Sequence, residues 1–173
     1  VGNKKTNLRQ MVERDIDAAG FDPKVKEIRF REINRSEIDV ADLSLDDFEY
    51  ETVYTTEHFM QWVTSDYRIA GFLRLSLPKW EKIAEVLDVS ALPVSPGEAM
   101  IREVHVYGQA AHLGKTDAAA QHQGLGRRLI ERACAISREA GFERLNVVSS
   151  VGTREYYRAR GFVDAGLYQQ RVL

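Results

Sequence analysis

The sequence has one cysteine, four prolines, two tryptophans and no long apolar run. A lone Cys134 excludes an internal disulfide and fits a reducing compartment, so a cytoplasmic setting is expected. It sits among Leu129, Ile130, Ala133 and Ile136, which suits a buried thiol better than a nucleophile. No stretch approaches the ~20 apolar residues of a membrane helix. No signal peptide is visible at the start. No membrane partner is therefore expected. One cysteine and scattered histidines supply no zinc-type spacing, so no metal is expected either. Internal repeats and low-complexity tracts are also absent. Net charge is small, at −2, which excludes a uniformly basic nucleic-acid binder.

What is present is enough chain, 173 residues, for one domain with a sizeable core. The charge is unevenly placed. Residues 1–35 carry nine Lys/Arg against six Asp/Glu, and residues 36–58 carry eight Asp/Glu and no Lys/Arg. The division expected is a basic extension over 1–35 and a folded domain over 36–173. Within the extension, Lys4, Lys5, Arg9, Lys24, Lys26, Arg29 and Arg31 are candidate contacts to RNA phosphate. A solvated surface of mixed charge explains the same residues.

Thr6 or Asn7 can cap a helix carrying Leu8, Met11, Val12 and Ile16 on one side, with Gly20 as its stop. Val25 to Ile33 alternates as a strand, placing Arg29 and Arg31 on one face and Phe30 on the other. Tyr50–Thr55, Phe59–Thr64 and Ile69–Leu77 are rich in β-branched and aromatic residues and read as strands. Trp80–Leu87 reads as a short helix and Ala99–Val106 as a strand. A loop, Tyr107–Ala120, precedes the clearest helix, Gly124–Ala140, where Leu125, Leu129, Ile130, Ala133 and Ile136 recur at helical spacing and Gly141 is the stop. Arg144–Ser149 reads as a strand, Thr153–Arg160 as a short helix, and Phe162–Val172 as a last strand. The order is helix, antiparallel strands, then βαβαβ. It predicts an α/β fold with a mixed, largely antiparallel sheet flanked by helices, and an N-terminal helix/strand extension.

Chemistry concentrates in Gln121-His122-Gln123-Gly124-Leu125-Gly126, a Q-x-x-G-x-G hexad between a strand and a helix. Free first-turn N–H groups and the helix dipole favour an anion there, and glycine permits close approach of a pyrophosphate. Arg127 and Arg128 follow at once. A plain glycine turn would look the same. On the strand, Glu103 and His105 share a face, so either can serve as a base. A histidine between two valines is also an ordinary hydrogen-bonded structural residue.

Two more motifs bracket the hexad. Ile101-Arg102-Glu103-Val104-His105-Val106-Tyr107-Gly108 precedes it, and Gly152-Thr153-Arg154-Glu155-Tyr156-Tyr157-Arg158-Ala159-Arg160-Gly161-Phe162 follows. Together they resemble GNAT-type N-acetyltransferases. More narrowly, they resemble the acetyltransferase domain of the Elongator catalytic subunit, in the tRNA uridine carboxymethyltransferase family. Thr6-Asn7-Leu8-Arg9-Gln10 and Ile28-Arg29-Phe30-Arg31-Glu32 extend the resemblance over nearly the whole chain.

The resemblance implies acetyl-CoA as cosubstrate and tRNA as partner. It implies that the strand before the hexad splays from its neighbour. Glu103, Val104, His105 and Val106 would then contact acetyl-CoA, and Leu125, Gly126 and Arg127 the pyrophosphate. It implies Tyr157 as general acid beside the CoA sulfur, leaving Tyr156 as a core aromatic. It also implies a partner radical-SAM domain, holding an iron–sulfur cluster and S-adenosylmethionine, ahead of Val1. Phe30 departs from the family, where many members carry a cysteine. The expected function is acetyl-CoA cleavage in response to tRNA within a wobble-uridine carboxymethylating enzyme. A protein lysine or small-amine N-acetyltransferase and a non-catalytic RNA-binding module are the alternatives.

Overall fold

The computed structural model describes residues 7–19, 27–33, 39–107 and 119–173. The chain divides into two compact units, Val1–Glu32 and Ile33–Leu173.

In the first unit, helix α1 spans Leu8–Ala18, as its apolar spacing predicts. The Met11 N–H donates to Asn7 O at 3.1 Å. The expected strand Val25–Ile33 is not formed over its centre, where residues 28–30 are a turn. The Arg31 N–H closes on Ile28 O at 3.1 Å, and the Phe30 N–H donates to Glu27 Oε2 at 2.7 Å. A carboxylate three residues back gives the backbone a local partner, which competes with a ladder. Arg29 and Arg31 therefore do not share an exposed face: Arg29 is exposed and Arg31 is 7% exposed. Lys4, Lys5, Lys24 and Lys26, and the side chain of Arg9, lie outside the described residues.

The second unit is built on a seven-stranded sheet of order β1-β2-β3-β4-β5-β7-β6. Its strands are β1 (Ser44–Glu51), β2 (Thr55–Val63), β3 (Ile69–Pro78), β4 (Glu98–Val106), β5 (Arg144–Val147), β6 (Val163–Ala165) and β7 (Tyr168–Val172). Every pairing is antiparallel except β4 with β5. Its helices are α2 (Trp80–Ala84), α3 (Ala119–Glu139) and α4 (Arg154–Arg158). This is the mixed, largely antiparallel α/β sheet that the element order predicted. The core lies between α3 and one face of the sheet. Leu125, Leu129, Ile130 and Ala133 from α3 meet Met60, Leu73, Leu75, Ile101 and Leu145, all inaccessible to solvent. Cys134 is buried among them, and burial pushes its thiol pKa up, away from nucleophilic chemistry.

Three boundaries differ from expectation for local reasons. Acid-rich β1 is a strand, whereas Thr52–Tyr54, read as strand from composition, is the turn into β2. There Thr52 Oγ1 accepts from the Tyr54 and Thr55 N–H groups. The last expected strand is a hairpin, β6 and β7, turning at Gly166 and Leu167 with Gly166 at φ 62°. Helix α3 starts at Ala119, five residues before Gly124. Glycine inside a helix costs only about 1 kcal/mol, which the apolar face of α3 outweighs.

Helix α4 ends in a Schellman motif. Gly161 sits at φ 82°, its N–H donates to Arg158 O at 3.0 Å, and the Phe162 N–H donates to Tyr157 O at 3.2 Å. The accompanying apolar contact is Tyr157 on Phe162, with ring centroids 5.6 Å apart. The left-handed glycine thus fixes the tyrosine. A Cβ at Gly161 would meet nothing closer than Arg171 Nε at 3.7 Å, so conformational strain is the main cost of adding one. Gly161→Ala should lower unfolding free energy by about 1–2 kcal/mol. Equal urea-denaturation midpoints for variant and parent would refute this.

Candidate active site

Strand β4 changes partners halfway along. Glu98 to Ile101 pair with Arg144 to Val147 of β5, and beyond Ile101 that pairing stops. On its other side β4 stays paired with β3, but the register shifts between Arg74 and Leu75. Leu75 opposes Ile101 and Arg74 opposes Glu103, so Arg102 is the extra residue of a bulge. A bulge bends and twists its strand, and here the bend coincides with the parting of β4 from β5.

The parting leaves backbone polar groups facing the opening. The Tyr107 N–H donates to Ala70 O at 2.8 Å, which sets the phase of the ladder. His105 and Glu103 follow in phase and direct their N–H and C=O groups to β3. Val104 and Val106 are out of phase, so theirs point away from β3 into the opening. Of the four residues expected at acetyl-CoA, these two thus present backbone groups, and Glu103 and His105 present only side chains.

Those two side chains are together. His105 Nε2 lies 3.0 Å from Glu103 Oε1, and Arg74 Nη1 lies 3.6 Å from Glu103 Oε2. The imidazole stacks on the buried Phe72 ring at 5.3 Å and on Tyr107 at 6.2 Å. His105 is thus held by rings on one side and a carboxylate on the other. Arg102 reaches Glu57, a carboxylate 4% exposed that also accepts from Ser76 Oγ at 2.6 Å. Residue spacing could not reveal Arg74 or Glu57, because β2 and β3 bring them in.

Strand β4, helix α3 and helix α4 converge at Gly126. A Cβ there would sit 2.5 Å from Tyr156 Oη and 3.3 Å from Val106 Cγ2. Glycine is needed at this position for contact between elements. Gly124 is different: a Cβ there would meet nothing within 4 Å. Because α3 begins at Ala119, both glycines lie inside the helix, and the expected turn at the hexad is not formed. The amides of Leu125, Gly126 and Arg127 fall at intrahelical positions, and the free first-turn amides belong to residues before Gly124. The side chains of Gln121, His122 and Gln123 lie outside the described residues. Arg127 is exposed, but the Arg128 guanidinium lies 4.3 Å over the Trp62 ring.

The two tyrosines exchange their expected surroundings. Tyr157 is 7% exposed and belongs to the core cluster, whereas Tyr156 is only half buried against it. Their rings meet edge to face at 5.4 Å. Arg160 lies 3.3 Å over the Tyr156 ring and its hydroxyl abuts Gly126. The Tyr157 hydroxyl has no hydrogen-bond partner among the described residues. Burial raises both phenol pKa values, and the neighbouring Tyr156 raises that of Tyr157 further. Both hydroxyls therefore keep their protons at neutral pH.

Among the described residues, no group of three His, Cys, Asp or Glu could hold a metal ion. No helix among them is long and apolar enough to cross a membrane. The residues do fit an acyl-CoA. The opening offers an extended backbone edge to an amide-bearing chain, Gly124 leaves room beside the helix, and the nearby phenols are protonated.

The chain is similar to known proteins along nearly all of its length. It is 33% identical to a tRNA uridine(34) acetyltransferase of Methanocaldococcus jannaschii, over 99% of this chain and 32% of that protein. It is 30% identical to human Elongator complex protein 3, over 99% of this chain and 31% of that protein. The chain thus spans about a third of the length of these relatives. A solved structure of Methanocaldococcus infernus Elp3, lacking residues 1–46, superposes with a TM-score of 0.73 at 28% identity. That match covers 98% of this chain and 40% of the other. Residues 27–162 match the acetyltransferase (GNAT) family, and with the parted β4–β5 pair at its centre the chain belongs to that family.

Proposed function

We propose that this chain is the acetyl-CoA-dependent acyltransferase unit of a tRNA wobble-uridine-modifying enzyme. The observation that carries the site is the parting of β4 from β5, which turns the Val104 and Val106 backbone toward an open slot. The tRNA substrate class rests on similarity to proteins named for tRNA uridine(34) over nearly the whole chain.

Acetyl-CoA, when bound, supplies an acetyl group activated as a thioester. The Val104 and Val106 amides offer donors to a carbonyl oxygen in the slot, an oxyanion-type arrangement. The free amides at the start of α3, with Gln121, His122, Gln123 and Arg127, would hold the phosphates. The Tyr157 Oη keeps its proton and can give it to a sulfur beside it. Glu103 and His105 form a unit in which either can take a proton from water or another nucleophile. Arg74 lies 3.6 Å from Glu103 and partly neutralises the carboxylate that a lysine substrate would need, which favours the tRNA reading over protein lysine acetylation. The radical-SAM domain, with its iron–sulfur cluster and S-adenosylmethionine, would belong to the rest of the enzyme.

Gly124→Leu should leave the melting temperature unchanged or raised, because leucine favours helix and a Cβ there has nothing within 4 Å. Its acetyl-CoA affinity should fall at least about tenfold, roughly 1.4 kcal/mol. Calorimetry showing wild-type affinity in the folded variant would place the phosphates elsewhere.

Tyr157→Phe should slow release of free CoA by ~10²–10⁴-fold with little change in acetyl-CoA binding. Tyr156→Phe should have the smaller effect. Because the Tyr157 pKa is raised, any loss of rate from its ionisation should lie above the ordinary phenol value of ~10. An unchanged single-turnover rate in Tyr157→Phe removes it as the acid.

For RNA, exposed Arg29 remains a phosphate contact and buried Arg31 does not. Arg29→Gln should weaken tRNA binding and reduce the salt slope by roughly 0.7–0.9. Acetyl-CoA affinity should be unaffected. Identical slopes in filter-binding titrations would exclude Arg29 from the RNA surface.

A further inference from the structure

The active site uses β4, β5 and the adjoining ends of α3 and α4. It leaves unused the opposite edge of the sheet, where β1 is the last strand in the order. This edge is long, straight and chemically one-sided. All eight of its residues pair with β2 with no register shift, from Ser44↔Val63 to Glu51↔Thr56. It has no lysine, proline or bulge, and the charge that guards the edge is acidic alone.

The ladder fixes which backbone groups point away from β2. The Thr52 N–H donates to Thr55 O at 2.8 Å, closing the hairpin. Tyr50, Phe48, Asp46 and Ser44 follow in phase and bond to β2. Leu45, Asp47, Glu49 and Glu51 are out of phase and direct N–H and C=O groups outward. Four such residues are the template for one further strand of about eight residues.

Side chains say what that strand carries. On the face toward α3, β1 presents Asp47, Glu49 and Glu51. Their cationic neighbours among the described residues are few. Arg132 Nη2 lies 4.0 Å from Asp47, Lys79 bonds Glu51, and His58 lies 3.1 Å from Asp47 and 3.8 Å from Glu49. Among the described residues Glu49 has no Lys or Arg partner, and its side chain is 60% exposed. On the opposite face Phe48, 60% exposed, and Tyr50, 38% exposed, stack at 5.9 Å. A strand laid beside β1 would place alternate residues against carboxylates and against rings.

We propose that β1 is a docking edge for an extended protein segment in which Lys or Arg alternates with apolar residues. The basic positions pair with Asp47, Glu49 and Glu51, and the apolar ones cover Phe48 and Tyr50. Nucleic acid is the wrong class, because its phosphates would face four carboxylates in eight residues. A second copy of β1 would oppose acid to acid across the new pairing, which is destabilising. The proposal is independent of the acyltransferase reading.

The test uses the 173-residue chain and a capped octapeptide of alternating lysine and valine, with a glutamate–valine octapeptide and an octauridylate as comparisons. The basic peptide should bind more weakly as salt rises. Hydrogen exchange read by NMR should show new protection at the Leu45, Asp47, Glu49 and Glu51 amides and none at Asp46, Phe48 or Tyr50. Glu49→Lys should weaken binding roughly fivefold. Glu49→Pro should abolish it, because it removes an outward amide without touching the ladder to β2. Acetyl-CoA affinity should stay unchanged in both. The proposal is overturned by any of four results: no protection at the outward amides, wild-type peptide affinity in Glu49→Lys, tighter binding of the acidic peptide or the oligonucleotide at this edge, or the same protection in the chain alone as its concentration rises. Glu49→Lys decides the matter if Glu49→Pro does not fold.

Discussion

The candidate site depends on one extra residue. Arg102 has no partner across from it on β3, and β4 must bend to accommodate it. Parallel pairing with β5 ends at the residue before, Ile101. Had β4 stayed flat beside β5, the Val104 and Val106 backbone groups would be consumed by the ladder. Unpaired backbone groups in a folded interior are costly, so a free edge in mid-sheet persists only where water or a ligand satisfies it. The bulge is thus both a local irregularity and the reason the sheet has a place to bind.

Around that opening the protein invests in fixing position. Buried leucines and isoleucines hold α3 against the sheet, and Gly126 lets α3, β4 and the Tyr156 hydroxyl meet without a side chain between them. The left-handed Gly161 ends α4 and presses Phe162 onto Tyr157. Glu103 is constrained by Arg74 and His105, and His105 by Phe72 and Tyr107. Few of these contacts are strong singly. Their value lies in holding donors and a phenol in fixed places before a substrate arrives, which is the expensive part of electrostatic catalysis.

Where the structure departs from the sequence pattern, a local competitor is responsible. The strand over residues 25–33 lost to a turn because Glu27 could cap the Phe30 amide. Thr52–Tyr54 has strand composition but forms a turn, since Thr52 Oγ1 serves the amides that follow it. Acidic residues are poor strand formers, which conceals β1 in composition, yet its Phe48 and Tyr50 alternate with Glu49 and Glu51 in the period a strand needs. Buried His58 has no informative neighbours in sequence, and its partner Asp47 comes from the preceding strand, β1.

Sequence alone determined the order of elements from β2 to α4, the apolar face of α3, the stop at Gly161 and the family motifs. All of these are periodic or local, so neighbours along the chain carry them. Only the tertiary structure decided that β4 leaves β5 after Ile101, that Arg74 joins Glu103, and that Tyr157 rather than Tyr156 is the buried member of its pair. It also decided that Arg31 is buried while Arg29 is not. These outcomes depend on register between strands and on which side of a helix meets the core. Those are set by residues far apart in sequence, whose combined burial outweighs any local preference.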